Sequence, residues 1–180
     1  LLLAVIIYTL LFWKKMQTSF ELMLVPTNDK LCKLKNLYLA TIIITYIQIF
    51  IGGMVAGLDA GLVYNSFPMM GESIIPHEIY SVNCICTALE DPVIVQFIHR
   101  IFGMLLFVMT IVTFIASRNS SYPKLKSVGL YIFIAALLQV ALGIGTLIYS
   151  VALHIALAHQ LGAILLLSTL LWGLFLIKNA

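Results

Sequence analysis

The sequence predicts an all-α, polytopic membrane four-helix bundle made of two helical hairpins, preceded by the end of another transmembrane helix. Three observations carry that prediction. Of 180 residues, 62% are hydrophobic and only 9% charged, with a mean hydropathy of +1.10, whereas charged residues make up about a quarter of a soluble domain. Apolar runs of about twenty residues recur, the length a helix needs to cross a ~30 Å hydrocarbon core. Lys and Arg collect in alternate connections, while the one long connection between them has none, as expected when the basic loops all stay on one side of a bilayer. The net charge of +3 therefore reports orientation in a membrane. No basic patch with interleaved aromatics is visible, so no nucleic-acid partner is expected.

Taken in order, Leu1 to Trp13 is apolar throughout but spans only about two-thirds of the hydrocarbon core, so it reads as the end (1–13) of a truncated transmembrane helix. With neither Met nor a basic n-region at its start, the chain does not open on a signal peptide and reads as a fragment. Residues 14–36 form a polar connection, with Lys14, Lys15, Lys30, Lys33 and Lys35 against Glu21 and Asp29; Pro26 excludes a continuous helix, and the charge places this loop inside. A four-helix unit is expected over 37–178. Its first span, Leu37 to Gly57, ends in Gly52-Gly53-Met54-Val55-Ala56-Gly57, whose small residues permit close approach of a helix or a flat ligand. The loop 58–92 has Asp59, Glu72, Glu78, Glu90 and Asp91 and no Lys or Arg, so it lies outside. Loops this long usually have a task, and Ser66-Phe67-Pro68-Met69-Met70-Gly71 suits an ordered lid. Val93 to Ser117 returns across the membrane to Arg118, Lys124 and Lys126, Val128 to Tyr149 goes out again, and His154 to Ile177 comes back to Lys178. Gln48-Ile49-Phe50-Ile51-Gly52 in the first span and Gln139-Val140-Ala141-Leu142-Gly143 in the third are alike, as though the bundle repeats one hairpin design.

The second and fourth spans each carry a histidine at membrane depth, His99 within Val95-Gln96-Phe97-Ile98-His99-Arg100 and His159 within Ala158-His159-Gln160-Leu161-Gly162. Ionisable groups there are costly and usually face the bundle interior. Counted from their entry points, both lie about 8 to 9 Å below the same surface. Neutral imidazole is a common axial ligand of heme iron, and facing helices of a bundle can present two of them to opposite faces of one porphyrin. A single histidine would more simply hydrogen-bond a neighbouring helix; two at equal depth on alternate helices favour a heme clamp, with His99 and His159 as the iron ligands.

Around them, Arg100 has two open roles, pairing with a heme propionate or snorkelling to headgroups. Gln160, Gln48 and Gln139 are placed either to contact a macrocycle or to join helices. Gly103 and Gly162 leave room for a flat ring or for ordinary close packing. His77 and His154 read as solvated or interfacial, and Cys84 and Cys86 as loop residues too close together for an unstrained disulfide. No phosphate-binding loop, HExxH or Ser-His-Asp pattern occurs, so nucleotide and nucleophilic chemistry have no support.

The stretch Met54-Val55-Ala56-Gly57-Leu58-Asp59-Ala60-Gly61-Leu62-Val63-Tyr64-Asn65-Ser66-Phe67-Pro68, then Met70-Gly71-Glu72, Val95-Gln96-Phe97, His99-Arg100 and Ala158-His159-Gln160, resembles the heme A synthase family in its mitochondrial and alphaproteobacterial form. The resemblance covers nearly all of the chain and corresponds to the C-terminal half of an eight-span protein. It implies oxidation of the methyl group of heme o to the formyl group of heme a for cytochrome oxidase assembly, in a bacterial plasma membrane or mitochondrial inner membrane. It further implies that this half holds a heme b cofactor through a histidine pair, that substrate heme o sits in the other half, and that heme o synthase, an electron donor and oxidase assembly factors are partners. The family's other half has a Glu three residues before its His-Arg, proposed to be catalytic; here that place is Gln96, and a neutral amide cannot act as a base. Ile98 stands where an acidic residue is expected before His99. A non-catalytic bis-His membrane cytochrome or heme-handling electron-transfer subunit needs the same cage, and the lid-like loop favours the enzyme.

Overall fold

The computed structural model describes residues 29–81 and 84–178, together with 8, 11, 12 and 14. The expected end of a preceding span over 1–13, and the polar connection as far as residue 28, lie largely outside the described residues. Five helices follow: α1 Asp29–Gly57, the short α2 Ile85–Glu90, α3 Pro92–Arg118, α4 Pro123–Ile148 and α5 Leu153–Lys178. All but α2 are long and apolar enough to cross a membrane, which gives the expected polytopic helical bundle.

The first helix already includes Asp29, eight residues before Leu37, because its polar turns are good helix. Asp29 meets Lys33 one turn later at 2.8 Å on the exposed side. Leu31 and Leu34 are buried on the other side, so the helix continues past the apolar run wherever it has a core to pack on. Helix α3 is started by Asp91, whose Oδ1 accepts from the backbone N–H of Val93 (2.8 Å) and Ile94 (3.2 Å), followed by Pro92 in the first turn, where a missing N–H costs nothing. Pro123 opens α4 in the same way. The α4–α5 turn holds Ser150 and Val151 at φ 48° and 59°, the left-handed region that a β-branched residue seldom enters. A Cβ on Gly61 would come within 2.8 Å of the Val151 Cγ2, so this turn and the long loop interlock at a point that only glycine fits.

Helix α1 packs on α3, α3 on α4, α4 on α5 and α5 on α1. The four spans thus close a ring in which α3 and α5 stand diagonally opposite. The apolar core fills the half of the ring nearer the lysines: Tyr38, Leu125, Ile132, Leu167, Leu170 and Leu174 are essentially inaccessible and belong to one cluster. In this half α1 and α3 are also joined by hydroxyls, Tyr38 Oη to Ser117 Oγ at 2.8 Å and Thr41 Oγ1 to Thr113 Oγ1 at 3.0 Å. The other half, toward the 58–91 loop, is different. Along α4 and α5 no residue from 137 to 165 is buried, and that is where the sequence placed its histidines.

Candidate functional site

His99 follows the start of α3 by seven residues and His159 follows the start of α5 by six, a rise of about 9 to 10 Å in each. The two therefore sit level, on diagonal helices.

Each is held through its main-chain oxygen by a glutamine of the helix beside it. The Gln139 amide on α4 donates to the His159 main-chain oxygen at 2.9 Å, and the His159 Nδ1 returns a bond to the Gln139 main-chain oxygen at 3.1 Å. The Gln48 amide on α1 donates to the His99 main-chain oxygen at 3.0 Å. A Cβ on Gly143 would stand 3.0 Å from the His159 Cε1, and one on Gly52 would stand 3.1 Å from the His99 Cε1. Glycine thus gives each imidazole its place against the neighbouring helix. The likeness of Gln48–Gly52 to Gln139–Gly143 is in this way a likeness of two sites. The missing side chains of Gly103 and Gly162 admit Gln48 and Gln139. Both glutamines keep a buried Oε1 with no partner.

This donor set fits a heme. Two neutral-capable imidazoles come from opposite sides of a ring of helices, every helix contributes glycine or glutamine at their level, and the Oε1 atoms of Gln48 and Gln139 beside them are buried without a partner. Heme is also the group for which two imidazoles alone suffice, since the porphyrin supplies the other four ligands. No group of three or more metal-ligating side chains occurs among the described residues.

Arg100 turns two of its nitrogens to the loop and keeps a third, the buried Nε, without a partner. Its Nη1 donates to the main-chain oxygens of Ser66 (3.0 Å) and Met69 (3.2 Å), and its Nη2 to that of Tyr64 (3.0 Å). Gln96, one turn earlier on α3, donates to the same Tyr64 oxygen at 2.9 Å. Asn65 ties the loop to α4 through the Leu147 oxygen at 3.0 Å, and the Tyr64 hydroxyl donates to Glu78 at 3.1 Å. That last bond, with the nearby carboxylate charge, holds the Tyr64 phenol above the usual tyrosine range. The loop is therefore clasped against the histidine end of α3, as a lid requires, although by its main chain. Met70 is 2% exposed, but Leu62, Val63, Phe67 and Met69 remain outside, Phe67 at 44%, so only part of the motif's apolar surface is turned inward.

Gln160 is half-buried, and no side-chain hydrogen bond joins it to the histidine pair. His77 and His154 are exposed and away from the site, as expected. Cys84 caps the short α2, its Sγ accepting from the Thr87 backbone N–H at 3.4 Å; the Cys86 side chain lies outside what is described. Asn65 and the carbonyls of Tyr64, Ser66 and Met69 were not singled out by the sequence, and only the density of turn residues around Pro68 pointed to them.

Comparison with known proteins places these features in a family. The family model described as cytochrome oxidase assembly protein, COX15-CtaA, matches residues 1–171. The heme A synthase of Rickettsia felis is 44% identical over 181 residues, covering 100% of this chain and 53% of that protein. Those of Rickettsia akari and Rickettsia prowazekii are each 43% identical, again over 100% of this chain and 53% of theirs. The chain thus spans about half the length of the curated relatives it matches. No solved structure matches it. With the family model covering all but the last few residues, and with a bundle of four long apolar helices, this chain belongs to the cytochrome oxidase assembly protein family, COX15-CtaA.

Proposed function

We propose that the chain is the part of a heme A synthase that carries a heme b cofactor, in an enzyme that oxidises the methyl group of heme o to the formyl group of heme a, with the 58–92 loop on the outer face of the membrane. The observation that carries this reading is the placement of His99 and His159, level with each other on diagonal helices, each set against a glycine and a glutamine of the neighbouring helix. The relatives named heme A synthase support the reaction, and heme o and heme a follow as substrate and product of the whole enzyme.

When bound, the heme supplies one-electron transfer. The chain's own residues hold and shield it. His99 and His159 are the residues that would hold it. Gln48 and Gln139 fix the height of each histidine by binding its main-chain oxygen. The loop, clasped by Arg100 and Gln96, covers that end of the bundle and limits water. Gln96 stands where the family's other half has Glu, and its amide is spent on the Tyr64 carbonyl. Gln96 is therefore a loop-holding residue and not a base, which supports the electron-transfer side of the enzyme for this chain.

Titration of the purified chain with ferric heme b tests the reading. The expected product is six-coordinate and low-spin; His99→Ala and His159→Ala give five-coordinate, high-spin or lost heme, while His77→Ala and His154→Ala change nothing. An unchanged low-spin spectrum in both His99→Ala and His159→Ala would return these residues to interhelical hydrogen bonding. Incubation of the chain alone with heme o, oxygen and a reductant yields no heme a; formation of the formyl product would overturn the division of labour.

A further inference from the structure

The two histidines share their surroundings but not their hydrogen bonding. The His159 Nδ1 lies 3.1 Å from the main-chain oxygen of Gln139. A carbonyl only accepts, so the proton is on Nδ1 and the free lone pair on Nε2. His99 has no equivalent acceptor. The atom of Gln48 that faces its ring is also the atom 3.0 Å from the His99 main-chain oxygen, and must be the amide nitrogen, because that oxygen too can only accept. This nitrogen stands 3.2 Å from Nδ1 and 3.3 Å from Nε2, so it donates toward the ring and takes a proton from neither position. The Gln48 Oε1, which could accept, is buried and without a partner.

Resting on the reading that this pair holds a heme, we infer that the histidines are unequal axial ligands, His159 the anchor and His99 the exchangeable one, with Gln48 as the positioning residue that sets the difference. An imidazole that donates its far N–H to an acceptor is fixed in tautomer and orientation and is made more basic. Loss of such a partner weakens metal sites about ten- to a hundredfold. His159 has that support from a main-chain atom that no side-chain substitution removes. His99 would gain it only if the Gln48 amide turned over and presented Oε1. The expected consequence is that a small ligand of ferrous heme, carbon monoxide, displaces His99 and leaves His159 in place.

The test uses the heme b-loaded chain in nanodiscs. Low-spin heme in the unmodified chain is the first requirement, and its absence would be a failure of the heme reading itself. Given that spectrum, carbon monoxide is added to the reduced unmodified chain and to reduced His99→Ala, and resonance Raman spectra of the two adducts are compared. Matching spectra, both with His159 opposite the carbon monoxide, are expected; a mismatch overturns the inference while leaving the pair intact. Heme affinity is expected to fall about tenfold further in His159→Ala than in His99→Ala, and equal losses would also overturn it. Gln48→Glu, which can accept but not donate, is expected to lower the midpoint potential and slow displacement by carbon monoxide. Gln48→Met, which keeps the length without an acceptor, is expected to leave displacement as easy as before. If both substitutions move the potential alike, Gln48 acts by packing and the assignment to it is wrong.

Discussion

Replacing Arg100 by Ala should free the loop and leave the heme site almost untouched. Three bonds from this guanidinium reach main-chain oxygens of Tyr64, Ser66 and Met69. At about 1 kcal/mol each, the discounted value for a charged donor that is partly solvent-exposed, they amount to about 3 kcal/mol, or ~150-fold in the loop-opening equilibrium. Arg100→Lys, with one point of donors in place of a fork, should retain roughly a third of that. Gln96→Leu removes one neutral bond to the Tyr64 oxygen, about 1 kcal/mol or about fivefold. Amide hydrogen exchange across residues 61–71, with protease cleavage near the exposed Phe67 as a second readout, measures opening directly in the order Ala, Lys, Leu. Had Arg100 served a propionate, the same substitution would weaken heme binding and leave exchange in the loop unchanged. That result would refute the clasp.

Gly143→Ala and Gly52→Ala should each push a histidine ring aside by a few tenths of an ångström, since the new Cβ meets Cε1 at 3.0 or 3.1 Å, and should weaken heme binding. Gly57→Ala, where nothing stands within 4 Å, serves as the control that should not. Tyr38→Phe and Ser117→Ala, combined in a double-mutant cycle on thermal unfolding in detergent, should show a coupling of about 0.6 to 1.7 kcal/mol, the range found for hydroxyl pairs between membrane helices; no coupling would mean that the 2.8 Å bond is incidental. Because the Tyr64 phenol is held above its usual range by its bond to Glu78, its contribution to loop closure is complete below the free tyrosine value near 10 and is lost as pH rises through the raised one. Loop protection should therefore fall only at strongly alkaline pH, and Tyr64→Phe should remove that dependence.

The four spans were legible because hydropathy and the alternation of lysines report the solvent around a helix, and solvent decides a span. The start of α1 was not, since Lys30, Lys33 and Lys35 look the same in a loop as on a helix that extends past the lipid. The histidine pair and the Gln–Gly repeat were legible as spacing, while their pairing across helices was not: nothing in the sequence says that Gln48 reaches His99, or that Gly103 exists to admit Gln48. The clasp by Arg100 was not legible for a related reason. Its partners are carbonyls, which every residue has, so no residue type marks them. The hydroxyl pairs could have been found, because Thr41 and Thr45 on α1 and Thr110, Thr113 and Ser117 on α3 fall at helical spacing on single faces.

At the end away from the loop the two hairpins have ceased to be copies. Tyr38 reaches the position of Gly173 and Ser117 that of Gly129, so the α1–α3 hairpin carries the projections and the α4–α5 hairpin the recesses. In a membrane, where apolar surface alone does not choose a partner, such fitting of large side chains into places without one gives the α1–α3 and α4–α5 faces a specific register against each other.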